Sequence, residues 1–272
     1  DLFGMYKHQF VNASIKHKTW YEFKDHRWQE MDKGLYLKKK ISTDIALEYK
    51  KLSQHFKKTL LNSTTEEEKK IIEAKFKKCE EMLKNCKMTQ FKDKIMTECE
   101  ELFYNKEFLN KLDSNINLIG FDNGVYDLDR NIFRDGLPDD YISYSTNIDY
   151  ITFDSSSEYA IEINNFIKKV LPDSSVRKYV LVLLSSMLHG KVDEQKFHIW
   201  TGSGGNGKSK LVELFEKSFG DYCGKLPITV LTQKRSGSSA ASPEIAKTKG
   251  KRFISLQEPE HNDQIHVGYM KE

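Results

Sequence analysis

The chain has 272 residues, with 43 lysines and arginines against 40 acids, so its formal charge is only +3. Charged residues make up 31% and apolar ones 38%, which excludes a polybasic tail and argues against a disordered chain. The length allows two domains of ordinary size, each able to bury a core. The longest apolar run, Val180–Leu184 and on to Leu188, is broken by two serines. It falls well short of the ~20 residues a bilayer requires, so neither a membrane span nor a secretory leader is expected. Four cysteines point to a reducing compartment rather than a disulfide framework. The chain opens at Asp1 and closes at Lys271-Glu272 inside a helical pattern, so an excerpt of a longer protein is expected.

Residues 1–34 alternate large and polar side chains around Trp20-Tyr21-Glu22-Phe23 and His26-Arg27-Trp28, which predicts a short β-hairpin. From Leu35 the period changes. Ile41, Ile45, Tyr49, Leu52, Phe56 and Leu60 form the stripe of an amphipathic helix. Thr65 and Glu68 are spaced as a capping box for the next helix, whose Ile72, Phe76, Cys79, Leu83 and Cys86 make a narrow seam. A third helix shows Phe91, Ile95, Cys99 and Leu102 on one face. Lys38–Lys111 holds 18 basic and 13 acidic residues, a net +5, so the positive charge is concentrated there. Both a solvated exterior and a nucleic-acid-facing surface fit that excess. Residues 116–153 then read as turning to strands, Ile116–Phe121, Val125–Leu128 and Ile132-Phe133, with turns at Asp122-Asn123-Gly124 and Asp129-Arg130-Asn131. Two helices follow. One has Tyr159, Ile163, Phe166, Ile167 and Val170 on its apolar face, the other Val176, Tyr179, Val180, Leu183, Leu184 and Met187. Pro172-Asp173-Ser174 breaks and caps between them, and a domain boundary is expected at Asp154–Ser157.

Lys196–Trp200 reads as an apolar strand running into Thr201-Gly202-Ser203-Gly204-Gly205-Asn206-Gly207-Lys208-Ser209, after which a helix carries Leu211, Leu214, Phe215 and Phe219. This is the phosphate-loop pattern in the setting that gives it meaning, with a strand before and a helix after. Glycines let successive backbone N–H groups face one anion at the positive end of a helix dipole. Lys208 adds a charge for the β- and γ-phosphates, and the Ser209 hydroxyl is placed to ligate Mg²⁺. The cofactors read from the loop are therefore ATP and Mg²⁺. Lys251–Glu260 supplies a basic entry, an apolar strand and acids at its C-terminal end, where parallel strands present ligand groups. Glu258 is assigned to metal and water, with Glu260 in reserve; an ordinary strand-ending turn is the competing reading.

Phe197–Ser209, Ser236–Glu244 and Gly250–Glu260 resemble superfamily 3 helicases, above all the poxvirus-type primase–helicases of nucleocytoplasmic large DNA viruses. Upstream, Trp20–Phe23 with His26–Trp28, and Gly120–Leu128 with Asp139–Ser143, resemble the helicase-associated N-terminal domain of that family. The resemblance implies an α/β chain. Residues 1–154 would be a mainly helical N-terminal domain with a small β part, and 155–272 the first part of an AAA+-like P-loop ATPase core with a parallel sheet. It also implies an ATP-driven DNA helicase working as a ring, taken as a hexamer, in viral replication in the host cytoplasm. Partners would be DNA, further copies of the chain and other viral replication proteins. Val267–Glu272 resembles the first half of a DNA-contacting motif, which makes Lys271 a DNA-side candidate. The family's polar sensor and arginine finger are expected beyond Glu272.

Two rival readings stand beside this one: a P-loop ATPase with no unwinding role, such as a packaging motor or kinase, and an oligomerisation and DNA-holding module. Smaller features are read conservatively. Asp127 and Asp129 have the Asp-x-Asp form of a two-metal primase, yet Asp129 falls in a turn. Cys79, Cys86 and Cys99 lack zinc-site spacing and are expected as buried thiols. Trp20, Tyr21 and Trp28 could stack on bases but are expected in a core, and His198 is expected to pack.

Overall fold

The computed structural model describes residues 2–191, 196–232, 243–256 and 264–265. It is an α/β structure with two small three-stranded sheets and one parallel strand pair. The chain divides into two compact units, Asp1–Lys24 with Trp28–Lys111, and Asp25–Arg27 with Leu112–Glu272.

In the first unit a short helix α1 (Leu2–Tyr6) precedes β1 (Phe10–Ser14), β2 (Thr19–Lys24) and β3 (Arg27–Asp32). The expected hairpin is thus a three-stranded sheet of order β1-β2-β3, with β1 and β2 antiparallel. Helix α2 (Leu35–Lys40) runs through a π-helical turn, Ile41–Ile45, into α3 (Ala46–Asn62). That wide turn shifts the helical phase. Ala46 and Ser53 are buried after it, while Leu52, which the uninterrupted stripe would bury, is 44% exposed.

Helix α4 (Glu66–Asn85) begins where Thr65 predicts, but the Thr65 side chain makes no capping hydrogen bond. The seam itself is present: Cys79 and Cys86 are buried, with Ile72, Phe76 and Leu83 half-buried. Helix α5 (Thr89–Leu102) buries Met96 and Cys99, and leaves Leu102 exposed. A one-turn helix α6 (Phe108–Lys111) closes the unit. The core gathers Tyr6, Phe10, Trp20, Met31, Leu37, Ile41, Ala46, Cys86, Met96, Cys99 and Phe103. Trp20 and Phe103 rings lie 5.8 Å apart. Trp28, Tyr21 and Phe108 form an adjoining aromatic group. These aromatics are packing residues, as the sequence suggested.

In the second unit β4 (Leu118–Phe121), β5 (Gly124–Asp127) and β6 (Ile132–Arg134) form an antiparallel meander. Helices α7 (Glu158–Val170) and α8 (Ser174–Ser186) start on side-chain caps: Ser157 Oγ accepts from the Ala160 N–H, and Asp173 from Ser175 and Val176. Their apolar faces are only partly covered. Phe166, Ile167 and Val170 pack on buried Val180, Leu184 and Leu211, but Tyr159, Ile163, Val176 and Tyr179 are exposed, contrary to expectation. Helix α9 (Lys208–Phe219) leads to β7 (Cys223–Leu226), α10 (Thr229–Thr232), α11 (Pro243–Ala246) and β8 (Phe253–Leu256), with β7 and β8 parallel.

The expected strand at Lys196–Trp200 is absent, the segment being irregular. A parallel strand exists only through ladder bonds to a neighbour, and the one parallel ladder among the described residues joins β7 to β8.

Candidate nucleotide-binding site

The loop Gly202–Gly207 precedes α9 and takes its shape from two glycines in the left-handed region, Gly205 at φ 74° and Gly207 at φ 83°. Gly207 is the N-cap of α9, and a Cβ there would lie 2.8 Å from Val170 Cγ2. The helix start is therefore held directly against α7. Leu211, 1% exposed, anchors the first turn in the core, and its N–H returns to the Gly207 carbonyl at 3.0 Å.

Lys208, the first helical residue, folds its amine back over the loop. Its Nζ donates to Gly202 O at 3.2 Å, Ser203 O at 3.4 Å and Asn206 Oδ1 at 3.0 Å. A Cβ built on Gly204 or Gly205 would meet nothing within 4 Å, so the outer side of the loop is open. Ser209 is exposed in the first turn of α9. A cationic amine and a helix N-terminus thus lie at an open, glycine-lined rim, with Ser209 exposed in the same helical turn. These residues fit the phosphates of a nucleotide and a magnesium ion. Along α9, Lys210 and Lys217 bracket Glu213 at 2.9 Å each and hold its carboxyl down at about 2.

Behind the loop, α9 is tied to both parallel strands. Glu216 accepts from Ser255 Oγ of β8 at 2.7 Å and pairs with Lys225 of β7 at 2.8 Å. Strand β8 ends at Leu256. Glu258, Glu260 and Lys271 lie outside the described residues, as does most of Ser236–Glu244.

One cluster escaped sequence reading. Arg252, taken only as part of a basic strand entry, donates through its guanidinium to the carbonyls of Leu188 and Leu118, the latter at 2.6 Å, and stacks 4.6 Å over the Tyr222 ring. Burial pulls its pKa down. The Tyr222 hydroxyl accepts from the Gly120 N–H at 2.8 Å and donates to Tyr144 O at 3.3 Å, and burial pushes it up to about 12. Lys251 lies 4.4 Å over the Tyr144 ring and bonds Asp221 O. Gly220, at φ 52°, sits where a Cβ would press on the Thr146 carbonyl at 2.3 Å. The β4–β6 meander, the end of α9 and the start of β8 are therefore one hydrogen-bonded block. A glycine at the end of α9 and the Lys251-Arg252 pair were the available sequence signals.

The smaller candidates resolve structurally. Asp127 accepts from the N–H groups of Asp129 and Arg130, and Asp129 accepts from Asn117 Nδ2, so both carboxylates shape a turn. Cys79, Cys86 and Cys99 are buried free thiols, and burial raises Cys99 to about 11. Among the described residues no group of three or more His, Cys, Asp or Glu is placed to hold a metal, and no helix is long and apolar enough to cross a membrane. His198 does not pack inside; it is exposed, edge-on to Tyr179 at 6.3 Å.

An α/β chain with a glycine-rich loop feeding a helix is the class that fold and site define. More particularly, the chain belongs to the D5 N-terminal-like family, whose model matches residues 2–173. It is similar to a protein of Acanthamoeba polyphaga mimivirus named "putative helicase", 42% identical over 99% of this chain and 28% of the relative. A protein of Invertebrate iridescent virus 6 with the same name is 32% identical over 76% of this chain and 22% of its own length. A protein of African swine fever virus named "putative primase" is 26% identical over 67% of this chain and 19% of its own. The chain spans between 19% and 28% of the length of these relatives.

Proposed function

We propose that this chain is part of an ATP-driven DNA helicase of viral replication, with residues 1–154 as its helicase-associated domain and 155–272 as P-loop ATPase core. The observation that carries the reading is the Lys208 amine, bound across Gly202, Ser203 and Asn206 at the start of α9. Gly202–Ser209 would hold the nucleotide phosphates, with the Ser209 hydroxyl on Mg²⁺, which supplies charge neutralisation between the phosphates. Glu258 would orient the attacking water and contact the metal, with Glu260 beside it. Lys271 would face DNA. The names of the relatives support a replication setting, and the proposed form is a ring of copies around DNA in the host cytoplasm.

Lys208→Ala removes the only side-chain cation described in the loop, and nucleotide binding is expected to be lost. Titration with a fluorescent ATP analogue measures this, and unchanged affinity would overturn the assignment. Strand displacement by the full-length protein separates a helicase from a P-loop ATPase of other purpose. ATP hydrolysis indifferent to DNA would favour the packaging motor or kinase.

A further inference from the structure

Helices α3 and α4 pack lengthwise on each other, and only their shared base enters the core of the first unit, through Ala46, Tyr49, Leu83 and Cys86. At 1.5 Å per residue, the 17 residues of α3 extend about 25 Å. The helix has one acid, Glu48, already paired with Lys51 at 2.7 Å. With Ala46, Tyr49, Ser53 and Phe56 turned inward, the helical period puts Lys50, Lys51, Lys57 and Lys58 on one exposed side. Lys50, Lys57 and Lys58 have no ion-pair partner among the described residues. Helix α3 thus carries a net +3, four lysines against Glu48, and this ridge is the larger part of the +5 excess read from sequence.

We propose that this α3 ridge is a sequence-independent docking surface for the phosphate backbone of duplex DNA. The choice of nucleic acid rests on the helicase reading above; the choice of duplex rests on the ridge itself. Lys57 follows Lys50 by seven helical residues, a rise of about 10 Å along a straight helix, so the charges are spaced for a backbone that is itself regular and straight. The remaining side chains on that side are Leu47, Gln54 and Leu61. None is aromatic, so the ridge offers no platform on which single-stranded bases stack.

The test compares full-chain wild type with K50E/K57E/K58E for binding to a fluorescent duplex across a salt series. A second triple variant, K7E/K16E/K106E, changes net charge equally at exposed lysines elsewhere in the unit. Losing three phosphate contacts should lower the slope of log K against log salt by about 2.7 and weaken binding by about tenfold or more at low salt. The control should change the slope little. Equal effects from both variants, or none from the first, would overturn the proposal, as would a larger loss on single strands or on anionic vesicles than on duplex. Neutral K50Q/K57Q/K58Q, with an unchanged melting curve, excludes misfolding as the cause. Nucleotide binding is measured in parallel: if wild type binds duplex through the ridge but binds no nucleotide, the helicase reading fails and the ridge stands.

Discussion

The core around Trp20 and the packing around α7 and α8 are built from similar residues and end differently. Trp20 and Phe10 are each 1% exposed, enclosed by a sheet and three or more helices. Helix α7 buries no residue fully, and α8 buries only Val180 and Leu184, while Tyr159 is 77% exposed and Ile199 70%. Both regions carry periodic apolar residues. What differs is whether other elements cover the apolar residues, as β1, α2 and α5 do for Trp20. Periodicity names a face; only a partner makes it a core.

The largest expected effect sharpens that contrast. Trp20→Ala should cost about 3–5 kcal/mol in chemical denaturation, whereas Tyr159→Ala should stay within about 0.5 kcal/mol. Similar losses at both sites would break the comparison. Next comes Arg252→Met, which leaves the carbonyls of Leu118 and Leu188 without their buried donor and should cost about 2 kcal/mol. A thermal transition unchanged by that substitution would show that the β4–β6 meander and β8 do not depend on it.

The smallest effect is one of pH. The Tyr6 hydroxyl, donating at 2.5 Å, is the main cause holding the Asp44 carboxyl down at about 2, with Thr43 and Lys40 assisting. A carboxyl depressed in the folded state stabilises above its ordinary pKa, and that contribution fades as pH falls through the folded value. The loss should therefore fall between about pH 4 and 2, and its size should stay under about 1 kcal/mol because the side chain is partly solvated. In Asp44→Asn, denaturation midpoints should drop near neutrality and lose this part of their acid slope. An identical acid slope in both proteins would remove Asp44 from the account.

Much of this was legible in advance. The α4 seam, the Asp173 cap, the β4–β6 turns and the loop-to-helix passage at Lys208 rest on local chemistry, and local patterns report them. Three features did not, each for a physical reason. Thr65 starts α4 without capping it, because a side chain of the right type still needs the right rotamer. Lys196–Trp200 is not a strand, since pairing is decided by a neighbour and not by apolarity. Arg252 reads as an ordinary basic residue because its two acceptors sit 64 and 134 positions away.

The π-turn at Ile41–Ile45 has a consequence for the lysine ridge. An α-helix turns about 100° per residue, so one residue more or less ahead of α3 would swing its whole surface by more than a quarter circle. Which way Lys50 and Lys57 point is thus governed by chain length at a site remote from them. Deleting one residue at Ser42 or Thr43 would reaim the arm without altering a single charge, and a lineage could redirect it by a codon rather than by new lysines.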